Sequence, residues 1–292
     1  MPSRAQSRCI VPELNTLGFC DLHIHSIYSD SDQTLEDIFG AAKNSGLRAI
    51  AVTDHDTVNG VEPALRLSRD SGVELIPGIE LSAEQAGEEV HLLGYFFDHH
   101  SPLLVQALSG IRDMRSRRLE LMADKLIGLG LDVDKAELFA YIGNAQPTRL
   151  HLAMHMVRRN IVHDLRDAFR RFLSPGKPGY VSRFKFNVGE AVRLIRDCGG
   201  LVFMAHPHLI SSPEQAIAVI ACGIDGMELV YPNMPAAKLE NFRSLTARRG
   251  LLACGGSDAH GSYKEFTKVG GVRVPYEYVQ KMKEKLNRDQ HG

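Results

Sequence analysis

The chain has 292 residues, 44% of them hydrophobic, which is enough for one large core or a core plus an inserted piece. Its formal net charge of −1 provides no global basic field for nucleic acid, and no apolar run has the length of a membrane span. The first twenty residues lack a signal-peptide core and the five cysteines form no C-x-x-C pair, so a disulfide framework is not expected and a reducing cytoplasm is.

In chain order, 19–25 reads as a strand. A helix over 34–46 follows, with Thr34 as its cap, Asp37 three residues on and Gly46 as its stop. A strand is expected over 48–55, a helix over 61–69, and strands over 74–81 and 89–97. From about Pro102 to Phe172 the pattern turns helical: a long helix over 109–130, then shorter ones near 134–141, 149–159 and 164–172. A glycine- and proline-rich loop over 173–181 leads back to alternation: helices over 189–200, 213–223 and 235–250, strands over 201–207, 225–231 and 251–260. Strand-then-helix order predicts an α/β fold on a parallel sheet, open or closed. The expected division is a first part over 19–101, a helical insertion over 102–182 and a second part over 183–285.

The candidate site residues share one address. His23 and His25 lie two apart in a strand and therefore face one way. Asp54 and His55 end the next strand, Glu80 follows Pro-Gly-Ile, and His91 sits within a strand. His206 lies just past its strand, and Asp258 and His260 close the last one. Ligands of parallel α/β folds gather at the C-terminal ends of strands, which is where these groups fall. Imidazole and carboxylate without thiolate suit Zn²⁺, Mn²⁺ or Fe²⁺ better than Ca²⁺ or Mg²⁺. The candidate groups are too many for one ion, so Glu80 is expected to bridge two. Adjacent divalent ions suit phosphoryl chemistry, activating water and holding phosphate oxygens. His99, His100, His155, His163 and His208 lack this placement and are expected in surface or packing roles.

The segments DLHIHSIYSD, VTDHDT, GIELS, VHLLGY, AHP and GGSDAH, in that order over residues 21–260, resemble the PHP (polymerase and histidinol phosphatase) metallo-phosphoesterases. The resemblance implies a distorted (β/α)7 barrel with two to three divalent ions, Mn²⁺ first and Zn²⁺ or Fe²⁺ as alternatives. By position it implies one ion on His23, His25, Glu80 and Asp258. A second would sit on Glu80, His91 and His206, and a third on Asp30, His55 and His260. Asp54 would orient a ligand histidine, and His25, Asp54, His206 and Asp258 form the expected catalytic set. Aspartate at position 30 resembles the branch acting on nucleotides.

The insertion resembles the helical cap of 3′,5′-nucleoside bisphosphate phosphatases, some of which trim RNA from the 5′ end. The matching pieces are IRDMRSRRLELM, TRLHLAMHMV and FLSPGKPGYV. The resemblance implies that Arg115 and Arg118 grip the phosphate that is not cleaved, and that Arg149 and His151, with Lys177 from the loop, also contact the substrate. The expected partner is a nucleotide or a short RNA, with no membrane. Two departures concern the substrate: AHPHL where relatives often read AHPGR, and RLH where they often read R-P-H. The rival expectations are a phosphatase for histidinol phosphate or another small phosphoester, an amidohydrolase, and a non-catalytic nucleotide-binding module.

Overall fold

In the computed structural model, which describes residues 17–182 and 186–289, the strands form two sheets. The first has the order β3-β2-β1-β9, from β1 (Phe19–Ile24), β2 (Leu47–Val52), β3 (Glu74–Leu75) and β9 (Val274–Pro275). The second has the order β4-β5-β6-β7-β8, from β4 (Gly78–Gln85), β5 (Glu88–Tyr95), β6 (Leu201–Met204), β7 (Gly226–Val230) and β8 (Leu252–Gly255). Single bridges, Ile24 to Ala259 and His55 to Glu80, join the two sheets near their edges. The architecture is mixed α/β. It departs from an all-parallel sheet in three pairings, since β4–β5, β5–β6 and β1–β9 run antiparallel. A tight Ala86-Gly87 turn, both residues at positive φ, makes β4 and β5 a hairpin, which short connections permit only between antiparallel strands.

Alternation along the strands builds the core. Ala49 and Ala51, Leu93 and Tyr95, and Leu201 and Phe203 turn inward and share one cluster with Cys20, Leu22 and Cys254. The intervening residues turn outward onto helices. Ile50 and Val52 meet α1 (Leu35–Asn44) and α2 (Val61–Ser71), while Leu92, Val202 and Met204 meet α7 (Val188–Asp197) and α8 (Pro213–Ala221). Each side chain so buried contributes roughly 1.5–3 kcal/mol. The expected strand over 74–81 is broken. Pro77 has no N–H for a ladder, and β3 and β4 on either side of it enter different sheets. The α1 cap follows the sequence: Thr34 Oγ1 accepts from Asp37 N–H at 3.2 Å, and the Asp37 carboxylate accepts from Thr34 N–H at 3.1 Å.

The insertion consists of α3 (Pro102–Gly128), α4 (Lys135–Ile142), α5 (Arg149–Arg158), α6 (Leu165–Ala168) and a π-turn over Phe169–Leu173. Leu119, Met122, Leu126, Leu138, Leu152 and Met156 give it an apolar cluster of its own. α3 begins seven residues earlier than its expected start, because Pro102 takes the first helical position, where its missing N–H does no harm. After β8 come β9 and α10 (Glu277–Asp289), neither anticipated. α9 (Ala236–Arg248) connects β7 to β8. No helix among the described residues is long and apolar enough to cross a membrane.

Candidate metal centre

The buried polar groups converge where the two sheets meet. Glu80, on β4, is the hub. Its Oε2 lies 3.3 Å from His23 Nε2, 3.1 Å from His25 Nε2 and 3.2 Å from His55 Nδ1. Its Oε1 lies 2.9 Å from His91 Nδ1 and 3.1 Å from His206 Nε2. Asp258 Oδ1 lies 3.3 Å from His25 Nε2, 3.6 Å from His23 Nε2 and 3.4 Å from His260 Nδ1. The Asp30 carboxylate reaches His25 and His55 at 3.6 Å and His260 at 3.5 Å. All nine residues singled out from the sequence as ligands therefore share one site. His25 stands between the Asp30 and Asp258 groups, and His55 between Asp30 and Glu80.

These separations identify what the site is built for. Hydrogen bonds between nitrogen and oxygen cluster near 2.9 Å. Two ligands that hold one ion at 2.0–2.1 Å in tetrahedral geometry lie about 3.3 Å apart. Most of the distances here match the second spacing. His23 Nε2, both ring nitrogens of His25, His55 Nδ1 and Asp30 Oδ1 are buried without a hydrogen-bond partner. A buried polar atom left unpaired costs roughly 1–3 kcal/mol, so five such atoms close together suit a bound cation. The residues present fit divalent cations: His25, Asp30, His55 and His260 form one possible set, His23, His25 and Asp258 another, and His55, Glu80 and His91 a third.

Electrostatics agree with that reading. Burial alone would push His23 and His25 down. Glu228, Glu80 and Asp258 instead hold His23 well above the usual histidine range, and Asp258, Glu80 and Asp30 raise His25 to about 10. Burial would raise Glu80 and Asp258, yet the surrounding imidazoles hold both well below the usual carboxylate range. Around that centre burial wins: His55 is pushed down to about 3 and His260 below the usual histidine range, so positive charge is favoured at His23 and His25 and not at their neighbours.

Backbone geometry presents the groups. His206 and Asp258 have φ of 30° and 50°, a region that side chains other than glycine seldom adopt. Hydrogen bonds hold both: His206 N–H donates to Glu228 Oε2 at 2.6 Å, and Asp258 N–H to His23 O at 2.7 Å. Gly256 lets β8 approach β1, since a Cβ there would stand 2.3 Å from His23 N. Ring orientation is set from behind. His23 Nδ1 donates to Glu228 Oε1 at 3.0 Å and His260 Nδ1 to Asp258 O at 2.9 Å, leaving each Nε2 lone pair for the cluster.

The PHP domain pattern matches residues 21–138. A 3′,5′-nucleoside bisphosphate phosphatase of Chromobacterium violaceum is 31% identical over 246 residues, which is 82% of this chain and 86% of that protein. The chain belongs to the PHP family of metal-dependent phosphoesterases. A phosphoribosyl 1,2-cyclic phosphate 1,2-diphosphodiesterase of Eggerthella lenta is also 31% identical, over 87% of this chain and 98% of its own length. A 5′-3′ exoribonuclease of Haemophilus influenzae is 30% identical over 82% and 89%. A crystal structure from Bifidobacterium adolescentis, described provisionally as a metal-dependent phosphoesterase, superposes with a TM-score of 0.83 at 27% identity, covering 90% of this chain and 94% of that one.

Within this PHP chain several groups do something other than the sequence suggested. Asp54 bonds no ligand histidine. It accepts from Ser26 N–H at 2.8 Å, Ser26 Oγ–H at 2.6 Å and Ser29 Oγ–H at 2.5 Å, and so shapes the turn that carries Asp30. Arg115 is committed to structure. It is buried on α3, its Nε donates to Asp56 Oδ2 at 2.7 Å, and its other donors reach Asp56, Ser82 Oγ and Pro147 O. Arg118 is buried one turn on, with Nε donating to Val181 O at 2.9 Å. The guanidinium groups of Arg118 and Arg149 both approach the Tyr180 ring, at 5.6 and 5.9 Å. His151 Nδ1 accepts from Thr148 N–H at 3.2 Å, so Nε2 carries the proton; burial pushes its pKa down to about 4. Lys177 is exposed in the 174–177 turn.

Four residues escaped the sequence reading. Glu228 fixes His23 and His206. Tyr231, whose hydroxyl donates to Asp258 Oδ2 at 2.6 Å, and Lys264, ion-paired to the same oxygen, turn Oδ1 toward the histidines. Asp56 binds Arg115. Glu228 looked like any strand glutamate, but alternation from Gly226 puts it on an inward face, a signal that was available.

Proposed function

We propose that this chain hydrolyses the 3′-phosphate of nucleoside 3′,5′-bisphosphates and extends the same chemistry to short RNA taken from its 5′ end. The reading rests on one observation: a nine-residue imidazole and carboxylate cluster with unpaired buried atoms, beside an insertion that presents arginines and a neutral histidine. His23, His25, Glu80 and Asp258 would hold one ion, Glu80, His91 and His206 a second, and Asp30, His55 and His260 a third. Divalent ions bound there, Mn²⁺ first, would supply Lewis acidity for phosphoryl transfer near neutral pH. On this reading the two sheets correspond to the halves of a distorted (β/α)7 barrel, and residues 102–182 to its cap.

The chain's own residues supply positioning. Glu228 and the Asp258 carbonyl fix imidazole tautomers, and Tyr231 and Lys264 orient Asp258. Arg115, held by Asp56, and Arg118 are the proposed contacts to the 5′-phosphate, with Arg149 and the Nε2–H of His151 as further substrate contacts from the cap. The two relatives named for bisphosphate and 5′-3′ RNA substrates support this reading. The test is phosphate release from adenosine 3′,5′-bisphosphate by the Mn²⁺-loaded protein, with His25→Ala reducing it to below about 1%. No release with the ions bound, or turnover only of phosphoribosyl 1,2-cyclic phosphate or histidinol phosphate in the same assay, would replace the assignment.

A further inference from the structure

His99 and His100 are adjacent in sequence, and adjacent side chains of extended backbone point to opposite sides. Here they do not. Asp98 Oδ1 accepts from His100 N–H at 2.9 Å, Ser101 N–H donates to Asp98 O at 3.2 Å, and Asp98 N–H is anchored to Cys198 O at 2.8 Å. The resulting turn, just ahead of α3, brings both rings to the same side with centroids 4.0 Å apart. Both aim Nε2 at one oxygen of Glu62, in the first turn of α2: His99 at 3.3 Å and His100 at 3.6 Å. The other Glu62 oxygen, Oε1, faces Arg66 at 3.4 Å, which leaves Oε2 to the histidines.

The 3.6 Å separation is too long for a hydrogen bond. His99 Nε2 at 3.3 Å is within reach of a long hydrogen bond to Glu62, and both separations also match the roughly 3.3 Å expected between two ligands of one tetrahedral ion. All three ligand atoms lie within 4.8 Å of one another. Two imidazoles and one carboxylate are a transition-metal set, unsuited to Mg²⁺ or Ca²⁺, which prefer all-oxygen shells. His100 is 70% exposed, so water can complete the coordination and the ion can exchange.

We propose that Glu62, His99 and His100 form a second, surface metal site that takes Zn²⁺ and ties the entry of α3 to α2, apart from the catalytic cluster. Nothing in this assignment depends on the substrate of the catalytic site. The expected consequence is local: ion binding slows backbone exchange around 98–104 without contributing to phosphoester hydrolysis.

The experiment counts zinc per chain in the full-length protein, dialysed free of metal and then against graded zinc chloride. Glu62→Gln and His100→Ala, both at exposed side chains, are compared with the unaltered protein. Loss of even an indirect partner typically weakens a metal site by about 10–100-fold, so loss of a direct ligand should cost at least about 100-fold at this site. The variants should bind one zinc fewer at intermediate concentrations and keep unaltered Mn²⁺-supported hydrolysis. Zinc should protect amides of 98–104 from exchange in the unaltered protein only. Equal zinc counts in all three proteins, or equal protection in the variants, would overturn the proposal. Matching far-UV spectra establish that a lost ion is not lost folding.

Discussion

Asp56 lies under the insertion and holds it. Its carboxylate accepts from Arg115 Nε at 2.7 Å and from Ser82 N–H at 2.8 Å, its N–H donates to Glu80 O at 2.9 Å, and its carbonyl accepts from Gln146 Nε2 at 3.1 Å. Asp56→Asn removes the charge and one of the two accepting oxygens while keeping the shape, and asparagine tolerates the φ of 50° at this position. Two unit charges about 4 Å apart at an effective dielectric near 20 attract by roughly 4 kcal/mol. Breaking a buried pair from one side costs about 3–5 kcal/mol, because the surviving charge is stranded. At roughly 2–4 °C per kcal/mol for a chain of this size, the melting temperature should fall by about 10 °C. Adding Arg115→Met removes the stranded cation and should restore at least about 2 kcal/mol relative to additivity. Thermal and urea unfolding followed by far-UV circular dichroism measure both. A melting point within about 2 °C of the unaltered protein, or strictly additive costs, would refute the reasoning. Arg115 would then be free in solution and available to substrate, as its place in the sequence first suggests.

Glu228→Leu removes the acceptor for His23 Nδ1 and His206 N–H, and should weaken metal binding by about 10–100-fold in equilibrium dialysis against Mn²⁺. Unchanged affinity would mean that His23 holds its orientation without help. Gly256→Ala drives a methyl group into the His23 backbone and should cost at least about 3 kcal/mol, read as a lower unfolding midpoint together with lost metal. A normal midpoint would show that β8 does not approach β1 so closely. Acid should loosen the insertion. Burial pushes His151 down to about 4 and lowers His155, whose Nε2 accepts from Asp134 N–H, so both are neutral in the fold. The unfolded chain takes up protons first as pH falls through about 6.5. Stability is complete above that value and declines toward pH 4, by roughly 2 kcal/mol from His151 at pH 5. His151→Gln should flatten that dependence in urea midpoints between pH 7 and 5, and an equally steep profile would exclude His151 as its source.

The parts of the molecule governed by local chemistry were legible in the sequence. Thr34 and Asp37 announce the α1 cap, the alternation over 48–52 separates inward alanines from outward Ile50 and Val52, and the strand-end position of the histidines and carboxylates predicts one shared address. What depends on pairing partners was not legible. The direction of β5 follows from a two-residue turn, and the split between β3 and β4 from the loss of one N–H at Pro77. Arg115 illustrates the limit best. Its spacing from Arg118 places both on one helix face, but only the fold shows that Asp56 waits opposite one of them. His99 and His100 lie at the surface as expected, but their alignment was not legible, since the turn that aligns them depends on Asp98 and an anchor at Cys198, a hundred residues away.

The bridge from Ile24 to Ala259 has a consequence for synthesis. His23 and His25 leave the ribosome more than two hundred positions before Asp258 and His260, and β9 must still return to pair with β1. Until then the imidazoles and Glu80 have no complete shell, and the edge of β1 stands open. A nascent chain stalled before Asp258 would carry most of its candidate metal ligands without the two that the last strand end brings.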